Sequence, residues 1–164
     1  MRTFTILLWL VFTLPSFAQI PHNEIKDRMD LKNLVDTFSN LADTKEVDKQ
    51  LLLFTEDAVV ESYRNGERSS ELIGRAAIGI AFTNFLNLFE TVFHQNGQQT
   101  VEINGDEANG IAYSTVTLIS NNNGKKTMTT YGIRYKDSYV RTNSGWLIKK
   151  RMSNFLWQDV KVIE

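Results

Sequence analysis

The hydrophobic period of the chain changes once, across the stretch Val92–Asp106, VFHQNGQQTVEINGD. Before it, most apolar residues recur at three- and four-residue steps, as on helices with one buried face. After it, β-branched and aromatic residues alternate between Asn- and Gly-rich turns, as in antiparallel strands. A chain that places its helices first and its long strands later folds as α+β, not as a parallel α/β layer structure. The same stretch carries His94, one of two histidines and the one expected inside the folded body.

Composition narrows the chemistry. The 164 residues are 42% hydrophobic and 23% charged, enough for the core of one domain without staples. A net charge of −1 gives no electrostatic case for nucleic acid or an anionic membrane as partner. There is no cysteine, which excludes disulfides, thiolate metal sites and thiol nucleophiles. With two histidines and no phosphate-binding or nucleophile-elbow motif, no metal and no cofactor is expected.

Residues 1–18 have the layout of a cleavable signal peptide: Arg2, an apolar run from Phe4 to Leu14, then Ser16 and Ala18 at the small-residue positions. The run is shorter than the roughly 20 residues a membrane-spanning helix needs. The expected product is exported, periplasmic or secreted, and free of the membrane after cleavage. Residues 19–164 then form a single domain.

Asn23 is a candidate cap for a first helix whose stripe is Ile25, Met29, Leu31, Leu34, Val35, Phe38, Leu41 and Ala42. Asp43 and Glu46 have the spacing of a capping box before a short second helix carrying Val47, Leu51 and Phe54. Asp57–Arg64 reads as a strand, Asn65-Gly66 as a turn, and Glu67–Ile73 as a short edge strand or loop. Ala77, Ile78, Ala81, Phe82, Phe85, Leu88 and Phe89 mark a third helix. Four long strands follow, Thr91–Asn104, Ala108–Ser120, Thr127–Thr142 and Trp146–Val162, an antiparallel meander. Three helices laid on the concave side of such a curled sheet leave a cone with one open mouth.

The order of these elements carries a resemblance. LLLFTEDAVVE closing the helix pair, IGRAAI opening the third helix, His94 on a strand running into VEINGDEA, and the closing YKDSYVRTNSGWLIKKR together resemble the SnoaL-like branch of the nuclear transport factor 2-like superfamily. The resemblance spans about Ile25 to Asp159. It implies the cystatin-like α+β barrel: a cone-shaped, curved antiparallel sheet roofed by three helices from its N-terminal side, with homodimers packed through the sheet. Its members include dehydratases, isomerases, cyclases, hydrolases and proteins that only bind or scaffold, so fold alone does not fix activity. In enzymatic relatives an aspartate near the end of the first helix pairs with a histidine on the first long strand; by position these are Asp43 and His94. Some relatives carry two adjacent histidines, where this chain has Phe93 before His94.

Two functional readings follow. In the first, His94 is general base and acid on a small, largely apolar carbonyl or hydroxyl compound, Asp43 orients it, and a strand tyrosine acts as electrophile. The ligand-facing candidates are Tyr113, Tyr131, Tyr135, Phe38 and Trp157, with Phe155 on the same face as Trp157 by two-residue spacing. In the second, the same fold is a non-catalytic binding module or dimeric scaffold, with His94 a satisfied strand residue and Asp43 a helix cap. Trp146 is expected in the core; Arg141 and Arg151 have the charge to anchor an anionic ligand, but as sheet arginines they are expected in surface ion pairs.

Overall fold

The stripe expected on the first helix is the buried face of α1 (His22–Asp43) in the computed structural model, which describes residues 22–163. Leu31, Leu34, Val35, Phe38 and Ala42 lie inside. The first turns differ: Ile25 and Met29 are exposed, and Asp27 holds the inward position one turn before Leu31. A carboxylate can sit there because Arg141 and Trp146 both donate to it. Asn23 is no cap, since α1 already begins at His22. The expected signal segment lies outside the described residues.

The short α2 (Val47–Leu51) is capped by the backbone at Glu46, with no side-chain cap bond. The capping-box reading of Asp43 and Glu46 therefore fails. Glu46 accepts from Thr44 Oγ1 and Lys49 instead, and the Asp43 carboxylate is engaged elsewhere. Phe54, expected on the stripe of this helix, opens β1 (Phe54–Arg64). The Ile148 N–H donates to the Leu53 carbonyl at 2.8 Å, drawing the chain into the sheet two residues past the helix.

Asn65 and Gly66 both adopt positive φ, 53° and 83°, and reverse the chain into β2 (Glu67–Ile73). These are the two left-handed residues that a tight hairpin needs. α3 (Gly74–Leu86) follows, then the meander β3 (Thr91–Asn104), β4 (Glu107–Asn122), β5 (Lys125–Thr142) and β6 (Gly145–Ile163). The six strands form one sheet in the order β2-β1-β6-β5-β4-β3. All pairings are antiparallel except β1 with β6, which is parallel.

Bulges set which side chains face inward. In β3 the register shifts between Asn96 and Gln99, where Gly97 and Gln98 together stand opposite Tyr113. In β6, Trp157 pairs with Gly132 but Phe155 pairs with Ile133, so Leu156 is an extra residue on that strand. The sheet curves around an apolar interior closed by the helices. Phe38 stands at its centre, edge-to-face with Phe54, Phe82 and Tyr135 at centroid distances of 5.9, 6.0 and 6.4 Å.

Candidate active site

Between the concave sheet face and the helices lies a cavity of about 310 Å³. Its walls are mostly apolar: Phe38 and Ala42 from α1, Phe82 and Leu86 from α3, Val92, Val116, Leu118 and Ile133 from the sheet. A few polar side chains interrupt that surface, the usual pattern of a small-molecule site.

The first is His94. Strand alternation turns Val92, His94 and Asn96 toward the helices and Phe93 outward. Asp43, the last residue of α1, meets it. Asp43 Oδ2 accepts the His94 backbone N–H at 3.1 Å, and Oδ1 accepts Nδ1 at 2.6 Å. The carboxylate is an acceptor only, so Nδ1 carries the proton and Nε2 keeps its lone pair in the neutral ring. Nε2 has no protein partner among the described residues, and the ring lines the cavity. The imidazole side chain is 8% exposed and the Asp43 side chain 24%, so the pair is largely shielded.

Tyr135 is the second. It is 4% exposed, and burial pushes its phenol up to about 12, the nearby Asp137 and Asp43 carboxylates adding to the shift against the opposing Arg151 charge. At neutral pH it remains a protonated donor. Tyr131 and Phe38 also line the cavity, as does Phe155, edge-to-face with Tyr131 at 5.2 Å. The Arg64 guanidinium stacks over both rings where β1 ends, 4.0 Å from the Phe155 centroid.

Tyr113 and Trp157 are not part of it. Ala112, Ser114 and Val116 point inward on β4, so Tyr113 points outward. The extra residue at Leu156 reverses the facing of Trp157 relative to Phe155. Two-residue spacing implies a shared face only in an unbulged strand. Both residues line a depression on the outer side of the sheet, where the Trp157 indole covers Gly132 in space that any Cβ would occupy.

Arg151, expected in a surface pair, is 1% exposed. Its Nε and Nη2 donate to Asp137 Oδ1 and Oδ2 at 2.9 and 2.6 Å, and Tyr139 donates to the same carboxylate at 2.9 Å. Burial opposes the charge, but Asp137 more than offsets it and holds the guanidinium protonated. The guanidinium stands 4.1 Å from the Phe38 ring centroid and 4.4 Å from that of Tyr135. Nη1 has no partner among the described residues, and the residue lines the cavity. The sequence signal for this pair was incomplete. Counting back from the Asn143–Gly145 turn sets the two residues on adjacent strands of a hairpin but Asp137 opposite Lys150; an extra residue at Lys149 shifts the register by one and makes Asp137 and Arg151 partners. Arg141 does form an ion pair, with Asp27 at 2.5 and 2.7 Å, away from the cavity and over the ring of Trp146, which is in the core as expected.

Residues 23–152 match the SnoaL-like domain family. The chain belongs to this family. Among relatives of this SnoaL-like chain is an uncharacterized protein of Mycobacterium tuberculosis, 26% identical over 140 residues, covering 84% of this chain and 90% of that one. Solved structures with the same architecture include a candidate aromatic ring hydroxylase from Novosphingobium aromaticivorans. It has a TM-score of 0.74 and 27% identity, over 88% of this chain and 96% of that one. A candidate scytalone dehydratase from the same organism aligns at TM-score 0.74 and 17% identity, over 86% and 91% of the two chains. A type 2 hexachlorocyclohexane dehydrochlorinase aligns at 0.70 and 14%, over 87% and 92%. The curved sheet with its helices is thus the nuclear transport factor 2-like, cystatin-like fold.

Proposed function

We propose that this SnoaL-like protein is a cofactor-free lyase or isomerase acting on a small, largely apolar carbonyl or hydroxyl compound. The observation that carries the reading is the Asp43 carboxylate gripping both the backbone N–H and Nδ1 of His94, with Nε2 left unpaired beside an apolar cavity. In the proposed step, Nε2 removes a proton from a carbon next to the substrate's carbonyl. The C–H electron pair moves into a new carbon–carbon double bond, and charge collects on the carbonyl oxygen. Asp43 stabilises the imidazolium so formed. The Tyr135 phenol and Arg151 Nη1, which has no partner among the described residues, are donors suited to the developing oxyanion. Return of the proton to a different carbon completes an isomerisation. Departure of a leaving group with its bonding electrons completes an elimination.

Dehydratase and dehydrochlorinase, the names borne by two of the structural relatives, both describe eliminations. At 17% and 14% identity those relatives support the fold, and the chemistry rests on the dyad and the cavity.

The test needs no prior substrate. A panel of small cyclic ketones and hydroxyketones is incubated in D₂O and followed by NMR for deuterium entering beside the carbonyl. The native protein is expected to accelerate exchange for at least one member, and His94→Ala to lose that acceleration while melting at a similar temperature. Equal exchange by the two proteins would remove His94 from the mechanism.

The second reading, a binding module or dimeric scaffold, draws on the outer sheet face, where Phe93, Leu156 and Trp157 are each about half exposed. A homodimer joined through that face would cover them and leave the cavity open. Export through residues 1–18 is part of the proposal, supported by their signal-peptide pattern. The mature protein recovered from its host is then expected to begin at Gln19.

A further inference from the structure

We infer that Gln50 is a specificity-determining residue whose Oε1 accepts a hydrogen bond from a hydroxyl or N–H group of the molecule in the cavity. The inference rests on the pocket reading above and extends it to substrate class. Gln50 lies near the end of α2, is 1% exposed, and lines the cavity. Its Nε2 donates to the Phe38 carbonyl at 3.0 Å. That carbonyl can only accept, which fixes the amide: the nitrogen faces α1 and the oxygen faces away. Oε1 is buried and has no partner among the described residues.

The bond to Phe38 accounts for half of the side chain. It ties α2 to α1, and it needs only the NH₂ group. The carbonyl half is a different matter, because a buried acceptor left unpaired bears its full desolvation cost, whereas a methionine or leucine of similar size would bear none. Around the same cavity, the His94 Nε2 lone pair is the other acceptor on the ring side, and two buried groups are donors. Arg151 Nη1 and the Tyr135 hydroxyl offer hydrogens, which suits an oxygen of the ligand. Gln50 Oε1 needs a hydrogen, which an oxygen without a proton cannot supply. The complementary molecule is therefore a small apolar carbonyl compound that also carries a hydroxyl or N–H group. A simple ketone or a hydrocarbon would leave Gln50 as it stands.

The experiment uses the native protein with 2-naphthol and its methyl ether, 2-methoxynaphthalene, as matched probes. They share a ring body and an acceptor oxygen and differ in the donor. Binding is followed by probe fluorescence. Native protein is expected to favour 2-naphthol by about five- to tenfold, the scale of one net hydrogen bond. Gln50→Met is expected to abolish that preference by weakening 2-naphthol alone, the unchanged affinity for the ether reporting an intact pocket. A parallel loss for both probes would overturn the inference, leaving Gln50 as a tie between helices. Preference kept in Gln50→Met but lost in His94→Ala would also overturn it, assigning the hydroxyl to the imidazole. Native protein that binds neither probe overturns the inference and the pocket reading together. Loss of deuterium exchange activity with the Gln50-dependent preference intact removes only the acid–base reading.

Discussion

Asp43 commits both of its carboxylate oxygens to one residue, His94, accepting the backbone N–H with Oδ2 and Nδ1 with Oδ1. The backbone bond fixes where β3 sits against the end of α1, and the ring bond fixes the tautomer. Asp43→Asn keeps a shape that can still accept from the backbone, but its amide no longer stabilises an imidazolium. Proton exchange catalysed by the protein is expected to fall about 10²-fold or more, within the range that positioned acid–base groups supply. Heteronuclear NMR of the His94 ring is expected to show the Nδ1–H tautomer in the native protein and a mixture in the variant. An unchanged exchange rate would contradict the orienting role.

The Asp137–Arg151 pair predicts an asymmetric mutational pattern. Both side chains are about 1% exposed. Asp137→Ala would leave a buried cation without its partner, and the loss is expected to be about 3–5 kcal/mol in urea unfolding. Arg151→Met combined with Asp137→Leu removes both charges and is expected to cost less than Asp137→Ala alone. If the double variant were the less stable, the pair would be a net source of stability.

Asp27 predicts acid sensitivity. The hydrogen bond from Arg141 is the largest influence on it and lowers its carboxyl below the ordinary 3.8; burial opposes this, and the Trp146 N–H adds to the lowering. A group depressed in the folded state contributes stability that is present above its unfolded value and lost as pH falls through the folded one. Asp27→Asn is therefore expected to melt below the native protein at neutral pH, the gap narrowing as pH drops below about 3.8. Thermal melts by circular dichroism across that range check the sign.

Gly132 predicts a change confined to the outer face. A side chain there would overlap the Trp157 indole, while Tyr131 and Ile133 on either side point into the cavity. Gly132→Val is expected to displace Trp157 and red-shift its emission, with 2-methoxynaphthalene binding unaltered. A coupled loss of probe binding would show that the two faces are not independent.

Much of the fold was legible because it is encoded locally. The stripe through Leu31, Val35 and Phe38, the Asn65-Gly66 turn, and the four alternating runs after Thr91 each report their conformation within a few residues. The pairing of Asp43 with His94 was accessible only through resemblance, since 51 residues separate them. Trp157 escaped because a single extra residue, Leu156, inverts the alternation by which facing is read. Arg151 escaped because arginine is ordinarily exposed, and only the register between β5 and β6 brings Asp137 to it.

By itself the sequence determined the kinds of elements, their order, and hence a helical layer on a long antiparallel sheet, because backbone conformation follows from short-range side-chain patterns. Tertiary structure decided the parallel seating of β1 against β6, the face presented by each residue beyond a bulge, and the gathering of His94, Gln50, Tyr135 and Arg151 around one cavity, with Asp43 bonded to the imidazole. Those outcomes depend on which strand pairs with which and in what register. That choice is made by the burial of many side chains at once, and no local stretch of sequence contains it.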